Sequence, residues 1–374
     1  MSKRTQSILI PVISIVLGIL LGMIILAVSG KDVGVLFASL LKSSTGYTLG
    51  KSGFNLRYPG EFLVTSMPLI LSGLAIGFAY RCGMFNIGVD GQVIMGSLLS
   101  CIIGLTVPMP TRFAAVICVL VGGLAGALWA FIPGILKSKF NISEVVTGIM
   151  LNYTALYGAN YFIKALPDSS TNRTVNLPIN ATFASDYFAN LTNNSRFHWG
   201  FIVVILAVIA YWFVIEKTTF GYSLRATGFN KFGAKYAGIK VNKSVILSLM
   251  ISGFLAGLAG AMIVQGTFGY GRVMVASDNV GFDGIAIALV GSCNAIGITL
   301  AGLLFGLLKV TQPLLQIVGI PKEIGEIISA SIVFFVAIQY GIKFILNKID
   351  DRKKDKLDKP KVPIVSEIVK GENE

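Results

Sequence analysis

The chain has 374 residues, of which 54% are hydrophobic and only 13% are charged, whereas about 25% are charged in an average soluble domain. These values exclude an ordinary soluble protein and indicate an integral membrane protein. The net charge of +13 does not point to nucleic acid as a partner, because most basic residues lie between apolar segments or in the tail, where membrane topology and anionic lipid account for them.

Ten apolar segments approach the length of about 20 residues that a helix needs to cross the hydrocarbon layer. We predict an all-α, polytopic membrane helix bundle with about ten spans and both termini in the cytoplasm, because this orientation places most lysines and arginines inside. The first span is longer than the apolar core of a signal peptide, so we expect a retained anchor. The predicted spans are 8–29, 62–80, 86–106, 113–136, 142–165, 200–216, 244–266, 280–293, 295–310 and 326–347.

The predicted transmembrane domain covers residues 1–349, and a charged cytoplasmic tail, 350–374, follows it. Two long polar segments, 30–61 and 167–199, are expected to be extracellular loops. Segment 280–310 is either two spans or one broken helix, because small and polar residues interrupt its middle.

The sequence offers few groups for catalysis or metal binding. His198 is the single histidine, and the four cysteines have no paired spacing, so we expect no metal site and no catalytic triad. The segment TGYTLGKS at 45–52 nearly matches a phosphate-binding loop, but Thr45 stands where the first glycine is required. We therefore expect no nucleotide site in this chain.

One polar segment, 217–243, carries six basic residues and no acid. A basic loop of this kind is retained on the cytoplasmic side of the membrane. Large apolar residues recur in it at helical spacing, which predicts a short helix at the membrane face with one side available for docking. A solvated linker that merely follows the charge rule is the alternative. The spaced residues are Phe229, Phe232, Tyr236 and Ile239.

The segment RCGMFNIGVDGQ, residues 81–92, places polar side chains in an otherwise apolar region. An ionised Asp at a helix centre costs about 2.5–3.5 kcal/mol on insertion scales. Asp90 should therefore face a polar cavity or a partner, pair with Arg81, or cap a helix N-terminus. With the polar groups of the fifth span, this gives a candidate substrate path: Phe85, Asn86, Asp90, Gln92, Asn152, Tyr153 and Asp283.

Two of these groups have open alternatives. Asn152 and Tyr153, with Tyr157, either line a path or bond to neighbouring helices. The tetrad Gly-Val-Asp-Gly at 88–91 recurs as Gly-Phe-Asp-Gly at 281–284, and in the predicted topology the two copies open spans of opposite direction. This is the pattern of an inverted repeat, although a match of four positions also arises by chance.

At these motifs the sequence resembles a known family. RCGMFNIGVDGQ, GYSLRATGFNKFGAKYAGIKV and SGFLAGLAGA are similar to permease subunits of bacterial ABC importers of the branched-chain amino acid and ribose type, most of all the nucleoside-uptake branch. The resemblance covers nearly the whole chain. It implies that segment 217–243 contains a coupling helix that docks on a cytoplasmic ATPase. The positions that match the family motif or are expected to contact the ATPase are Arg225, Gly228, Asn230, Phe232, Ala234, Tyr236, Gly238 and Ile239.

The resemblance also implies the partners. They are an ATPase subunit that binds ATP and Mg²⁺, a second and often non-identical permease, and an extracellular lipoprotein receptor that delivers the nucleoside. No cofactor is expected on this chain. The acid at Asp90 departs from the glutamate more usual in this branch, which leaves its partner open.

The alternative functions are an ABC permease for a simple sugar, an ion-coupled carrier acting alone, and a membrane-embedded enzyme. A carrier would need intramembrane acids, for which Asp90 and Asp283 are the candidates. An enzyme is least favoured, because the sequence has no catalytic carboxylate pair or nucleophile motif.

Overall fold

The computed structural model describes residues 3–49, 53–108, 110–111 and 113–338. Within these ranges every regular element is a helix. The α-helices are α1 (Lys3–Val28), α2 (Gly34–Thr45), α3 (Arg57–Arg81), α4 (Val89–Thr106), α5 (Phe113–Phe140), α6 (Glu144–Ala165), α7 (Asp186–Leu191), α8 (Phe201–Lys217), α9 (Thr219–Phe229), α10 (Lys231–Tyr236), α11 (Val241–Met262), α12 (Val280–Val290), α13 (Ala295–Ile317) and α14 (Lys322–Ala337). A 3₁₀ turn at Ile179–Ala181 and a π-helical turn at Ile263–Phe268, which continues α11, complete them.

Helix α3 lies at the centre of the bundle. Every residue from Ser66 to Ala79 is buried, and α11, α12 and α13 all pack against this helix. A helix that is covered on all sides belongs to the core of a large bundle. The remaining elements are therefore arranged around α3.

Small residues bring α4, α5 and α11 into backbone contact. A Cβ added to Gly96 of α4 would lie 2.5 Å from the Cα of Gly257, and a Cβ on Gly126 of α5 would meet the carbonyl of Gly253. Glycine allows this approach because it has no side chain at the interface. These three helices form one tightly packed face of the bundle.

The described elements support a polytopic bundle, while the number of spans and the side of the termini stay predictions. Among the residues that the structure describes, five helices are long and apolar enough to cross a membrane, and the bent pair α8 and α9 would make a sixth. Segment 280–310 forms two separate helices, α12 and α13, not one broken helix. The end of the predicted tenth span, 339–347, and the predicted tail lie outside the described residues.

The two segments predicted to be extracellular loops contain helical elements. Segment 30–61 includes α2 and the start of α3, and segment 167–199 includes the 3₁₀ turn and α7. The second segment is tied to the bundle, since the N–H of Thr174 donates to the carbonyl of Gly271 at 2.9 Å and that of Phe183 to Gln265 at 3.1 Å. Sequence polarity indicated exposure here but did not reveal this packing.

Candidate functional site

The basic elbow, residues 217–243, is built from two short helices joined by side-chain caps. Helix α8 turns through 72° into α9 at Thr218, whose Oγ1 accepts a hydrogen bond from the N–H of Gly221 at 3.0 Å. Asn230 ends α9, and its Oδ1 accepts from the N–H groups of Phe232 and Gly233, each at 3.0 Å, to begin α10. The single short helix that the spacing predicted is therefore two helices, because Asn230 caps the second.

The outer side of the elbow presents aromatic rings. Phe232 is 88% and Tyr236 is 97% exposed, and Phe229 and Gly238 are also exposed, while Ile239 is partly buried. Lys231, Lys235 and Lys240 line the same concave surface beside Phe232. Exposed large aromatics amid positive charge are typical of a surface that another protein covers.

The inner side of the elbow is held on the end of α3. A Cβ on Gly228 would lie 2.5 Å from the carbonyl oxygen of Arg81, so the two backbones touch. Glu216 binds two arginines, Arg81 and Arg225, the second through a 2.8 Å contact between Nη1 and Oε2. Ala234 is buried. The predicted coupling residues thus fall into two groups. One group holds the elbow in shape: Arg225, Gly228, Asn230 and Ala234. The other group lies exposed on its surface: Phe232, Tyr236 and Gly238.

The polar junction, residues 81–92, is a closed hydrogen-bond network. Asn86 Nδ2 donates to Gln92 Oε1 at 3.0 Å and to Ser252 Oγ at 2.8 Å, and Gln92 Nε2 donates back to Asn86 Oδ1 at 3.1 Å. All three side chains are buried. These amides join α4 to α11 through satisfied bonds, which is how buried polar groups stabilise a unique packing. Phe85 beside them is partly exposed.

Asp90 caps a helix in trans. Its Oδ1 accepts a hydrogen bond at 2.8 Å from the N–H of Gly281, in the first turn of α12, so the two tetrads noticed in the sequence meet. The alternative pairing of Asp90 with Arg81 is wrong, because Arg81 binds Glu216. Asp283 of the second tetrad instead pairs with Lys309 of α13.

The polar residues of α6 were expected either to line a path or to bond to neighbouring helices, and the structure distinguishes these alternatives residue by residue. Asn152 bonds to the polar junction: its Oδ1 accepts from the N–H of Gly91 at 2.7 Å, and its Nδ2 donates to the carbonyl of Ile87 at 3.0 Å. Tyr153 and Tyr157 point away from the bundle and are exposed. The helix therefore has a bonded polar inner side and an aromatic outer side.

The comparison with protein families decides the class. The family model described as "Branched-chain amino acid transport system / permease component" matches residues 58–337. The chain belongs to this permease family. With its membrane-length apolar helices, the permease is a multi-pass protein of the cell membrane and a transport component.

Individual relatives extend this result. The permease is 41% identical over 350 residues to the guanosine ABC transporter permease protein NupP of Bacillus subtilis, covering 93% of this chain and 98% of the relative. It is 37% identical over 371 residues to the nucleoside ABC transporter permease protein NupB of Lactococcus lactis, covering 96% and 99%. It is also 30% identical over 342 residues to the glucose ABC transporter permease protein TsgB13 of Haloferax volcanii, covering 87% and 86%. No solved structure matches the chain.

Sequence reasoning missed three side chains that shape these sites: Glu216, Asn160 and Lys309. Glu216 is an acid at the end of an apolar span next to a basic loop, and this placement could have identified it. Asn160, whose side-chain amide bonds to the backbone of Met274, lies eight residues after Asn152, on the same side of a helix of 3.6 residues per turn. This spacing is a second usable signal. Lys309 pairs with Asp283 across 26 positions of sequence, and no local pattern predicts that pair.

Proposed function

We propose that this chain is the transmembrane subunit that forms the route for nucleosides through an ATP-driven importer. The observation that carries the proposal is its near-full-length similarity to permease proteins named for guanosine and for nucleosides. ATP and Mg²⁺ would bind to a separate ATPase subunit, since TGYTLGKS lacks the first glycine of a phosphate-binding loop. The permease itself would have no enzymatic activity.

The basic elbow would be the docking point of the ATPase. Its exposed rings, Phe232 and Tyr236, would enter a groove of the partner as anchors, as aromatic residues commonly do at interfaces. The lysines around them would orient an acidic partner surface. Because Gly228 seats the elbow directly on the end of α3, a push on the elbow would reach the central helix of the bundle.

Two further partners complete the proposed importer: a second permease subunit that is not identical to this one, and an extracellular lipoprotein receptor that delivers the nucleoside. The second permease would cover part of the apolar surface of this chain. The receptor would approach from the side that holds segments 30–61 and 167–199.

Ion-coupled transport by this chain alone is disfavoured by its intramembrane acids. A carrier needs an acid that is available to bind an ion or a proton. Asp90 accepts from the N–H of Gly281 at 2.8 Å, and Asp283 pairs with Lys309. Both acids therefore serve in the packing of the bundle, Asp90 through its Oδ1 and Asp283 through its ion pair.

A sugar is the second candidate substrate, favoured by the similarity to a glucose permease protein. The test is uptake of radiolabelled guanosine by cells that express the complete importer, with unlabelled competitors. We expect inhibition by other nucleosides and none by glucose, ribose or branched-chain amino acids. Inhibition by a sugar or the amino acids alone would overturn the nucleoside assignment.

A further inference from the structure

The outer side of α6 carries three tyrosines in one row, the tyrosine stripe: Tyr153, Tyr157 and Tyr161. Their spacing of four residues places them on one face of the helix, one above another. They are 59–70% exposed, and each presents an aromatic ring with a hydroxyl group at its tip. These polar hydroxyl groups distinguish the stripe from a purely apolar surface that faces lipid.

Two asparagines fix the rotation of α6 that turns the stripe outward. Asn152 bonds to Gly91 and Ile87 of the polar junction. Eight residues later, Asn160 Oδ1 accepts from the N–H of Met274 at 2.8 Å and its Nδ2 donates to the carbonyl of Met274 at 2.6 Å. Four hydrogen bonds to backbone, together with the buried Ala155, Leu156 and Ala159, hold the inner side against the bundle. The tyrosines lie on the remaining side of the helix, where they are exposed.

The positions of Tyr153 and Tyr157 along α6 do not fit the usual explanation for membrane tyrosines. Tyrosines of the aromatic belt lie at the two membrane surfaces, whereas Tyr153 and Tyr157 lie about 14 Å and about 20 Å along the helix from its first residue, Glu144, at 1.5 Å per residue. Helix α6 has 22 residues and does not belong to the five helices that are both long and apolar enough for a simple span. Its middle is polar where lipid is least polar.

Helix α5 provides the contrast. Its outer row has the same spacing and similar exposure, but Leu124 and Leu128, 56% and 63% exposed, are purely apolar. One outer row therefore suits hydrocarbon, and the other does not. The outer faces of α5 and α6 therefore differ in polarity.

The open-sided apolar pocket between α3, α5, α8 and α11 is not a competing place for a polar substrate. It has a volume of about 360 Å³ and is lined by apolar side chains such as Phe78, Leu120 and Phe254. Its one polar tip, the hydroxyl of Tyr211, already donates to the carbonyl of Cys293 at 2.7 Å. A nucleoside would find no hydrogen-bond partner there.

We propose that the tyrosine stripe lines the route for nucleosides through the importer and that its rings stack on the base of the passing nucleoside. This inference rests on the function proposed above and assigns the substrate contact within it. Aromatic rings stack on any base, because every base has a π-face, and the phenol groups can donate to or accept from polar groups of the substrate. A row of rings one turn apart would pass the base from one to the next.

The first test measures the accessibility of cysteines placed in the stripe. The four native cysteines are buried, which gives a low background. Tyr153→Cys, Tyr157→Cys and Tyr161→Cys are each introduced into the assembled importer, with Leu124→Cys and Leu128→Cys as matched controls on α5. A membrane-impermeant thiol reagent is applied with and without guanosine, and import of guanosine by the wild-type complex is measured in parallel.

We expect the stripe cysteines to react, guanosine to slow their reaction, and the α5 cysteines to stay unmodified. The inference is overturned if the stripe cysteines do not react, or react at the same rate with guanosine, while the wild-type complex imports guanosine. If the wild-type complex imports no nucleoside, the proposed function itself fails, and the two failures are thereby distinguished.

A second measurement uses variants that keep the bundle intact. Tyr157→Phe retains the ring, and Tyr157→Leu removes it at an exposed site. We expect the KM for guanosine uptake to rise about tenfold in Tyr157→Leu, the size of a lost base–aromatic stack. In Tyr157→Phe, which loses only the hydroxyl group, the KM should rise less. An unchanged KM in Tyr157→Leu would contradict the stacking role.

Discussion

The carboxylate of Asp90 accepts a hydrogen bond at 2.8 Å from the backbone N–H of Gly281. This contact joins the start of α4 to the start of α12, two helices separated by nearly 200 residues of sequence. A Cβ on Gly281 would lie 2.6 Å from the backbone nitrogen of Asp90, so the approach requires glycine. The short helix α12 is thereby anchored to the polar junction.

The first prediction concerns this cap. Asp90→Ala removes the acceptor for the first turn of α12 and should destabilise the protein by about 1 kcal/mol, the usual cost of a lost N-cap. Asp90→Asn keeps an acceptor oxygen and should lose only a few tenths of that. Thermal unfolding of the purified protein in detergent measures both. Equal losses in the two variants would show that the charge matters and the cap does not.

The two tetrads show what the sequence could and could not provide. The sequence shows that the tetrad is repeated, and in the structure the two copies meet at Asp90 and Gly281. The partners were not predictable: Asp90 caps a helix, while the equivalent Asp283 binds Lys309. Similar motifs have different contacts here because each acid meets a different neighbour in the folded bundle.

The same limit applies to polarity in the spans. Asn86, Gln92 and Asn152 are polar at membrane depth, which made them candidates for a substrate path, but their hydrogen bonds are made within the bundle. Sequence identifies a polar group in an apolar span and not the direction in which it points. Direction depends on helix rotation, which long-range bonds such as Asn160 to Met274 determine.

The second prediction tests how the basic elbow is seated. In Gly228→Val the new Cβ would lie 2.5 Å from the carbonyl oxygen of Arg81. Helix α9 must therefore move, at a cost of about 1–3 kcal/mol. Recovery of the ATPase subunit with the permease should fall about tenfold. The control is Gly233→Ala, whose added Cβ meets nothing closer than 3.4 Å. Normal recovery with Gly228→Val would contradict this seating.

The third prediction tests the exposed anchors. Tyr236→Asp removes a fully exposed ring without disturbing the elbow, and the loss of an aromatic anchor of about 2 kcal/mol would weaken ATPase binding about 30-fold. Co-purification with the ATPase measures it. Tyr187→Asp, which replaces an exposed ring on α7, should have no effect, and unchanged recovery with Tyr236→Asp would count against docking at the elbow.

The fourth prediction concerns acid. His198 is buried before α8, its Nδ1 accepts from the N–H of Gly200 at 3.1 Å, and burial, aided by the nearby charge of Arg196, lowers its pKa from 6.5 to about 4. Between these values the unfolded chain binds a proton that the folded protein does not. Stability should therefore fall as the pH drops from about 6.5 to about 4, by about 3 kcal/mol in total.

The measurement for His198 is the unfolding temperature at several pH values in this range. In His198→Gln, which has no titrating group, most of the slope should disappear. A slope that persists unchanged in the variant would assign the acid sensitivity to other groups. A wild-type protein with no slope between pH 6.5 and 4 would contradict the lowered pKa.

The central claim is that this chain supplies the route through the membrane and takes its energy from an ATPase bound to the basic elbow. The most direct measurement is accumulation of labelled guanosine in proteoliposomes that contain either the chain alone with proton or sodium gradients, or the complete importer with its receptor and ATP. We predict accumulation only in the second case. Accumulation by the isolated chain, driven by an ion gradient, would contradict the account.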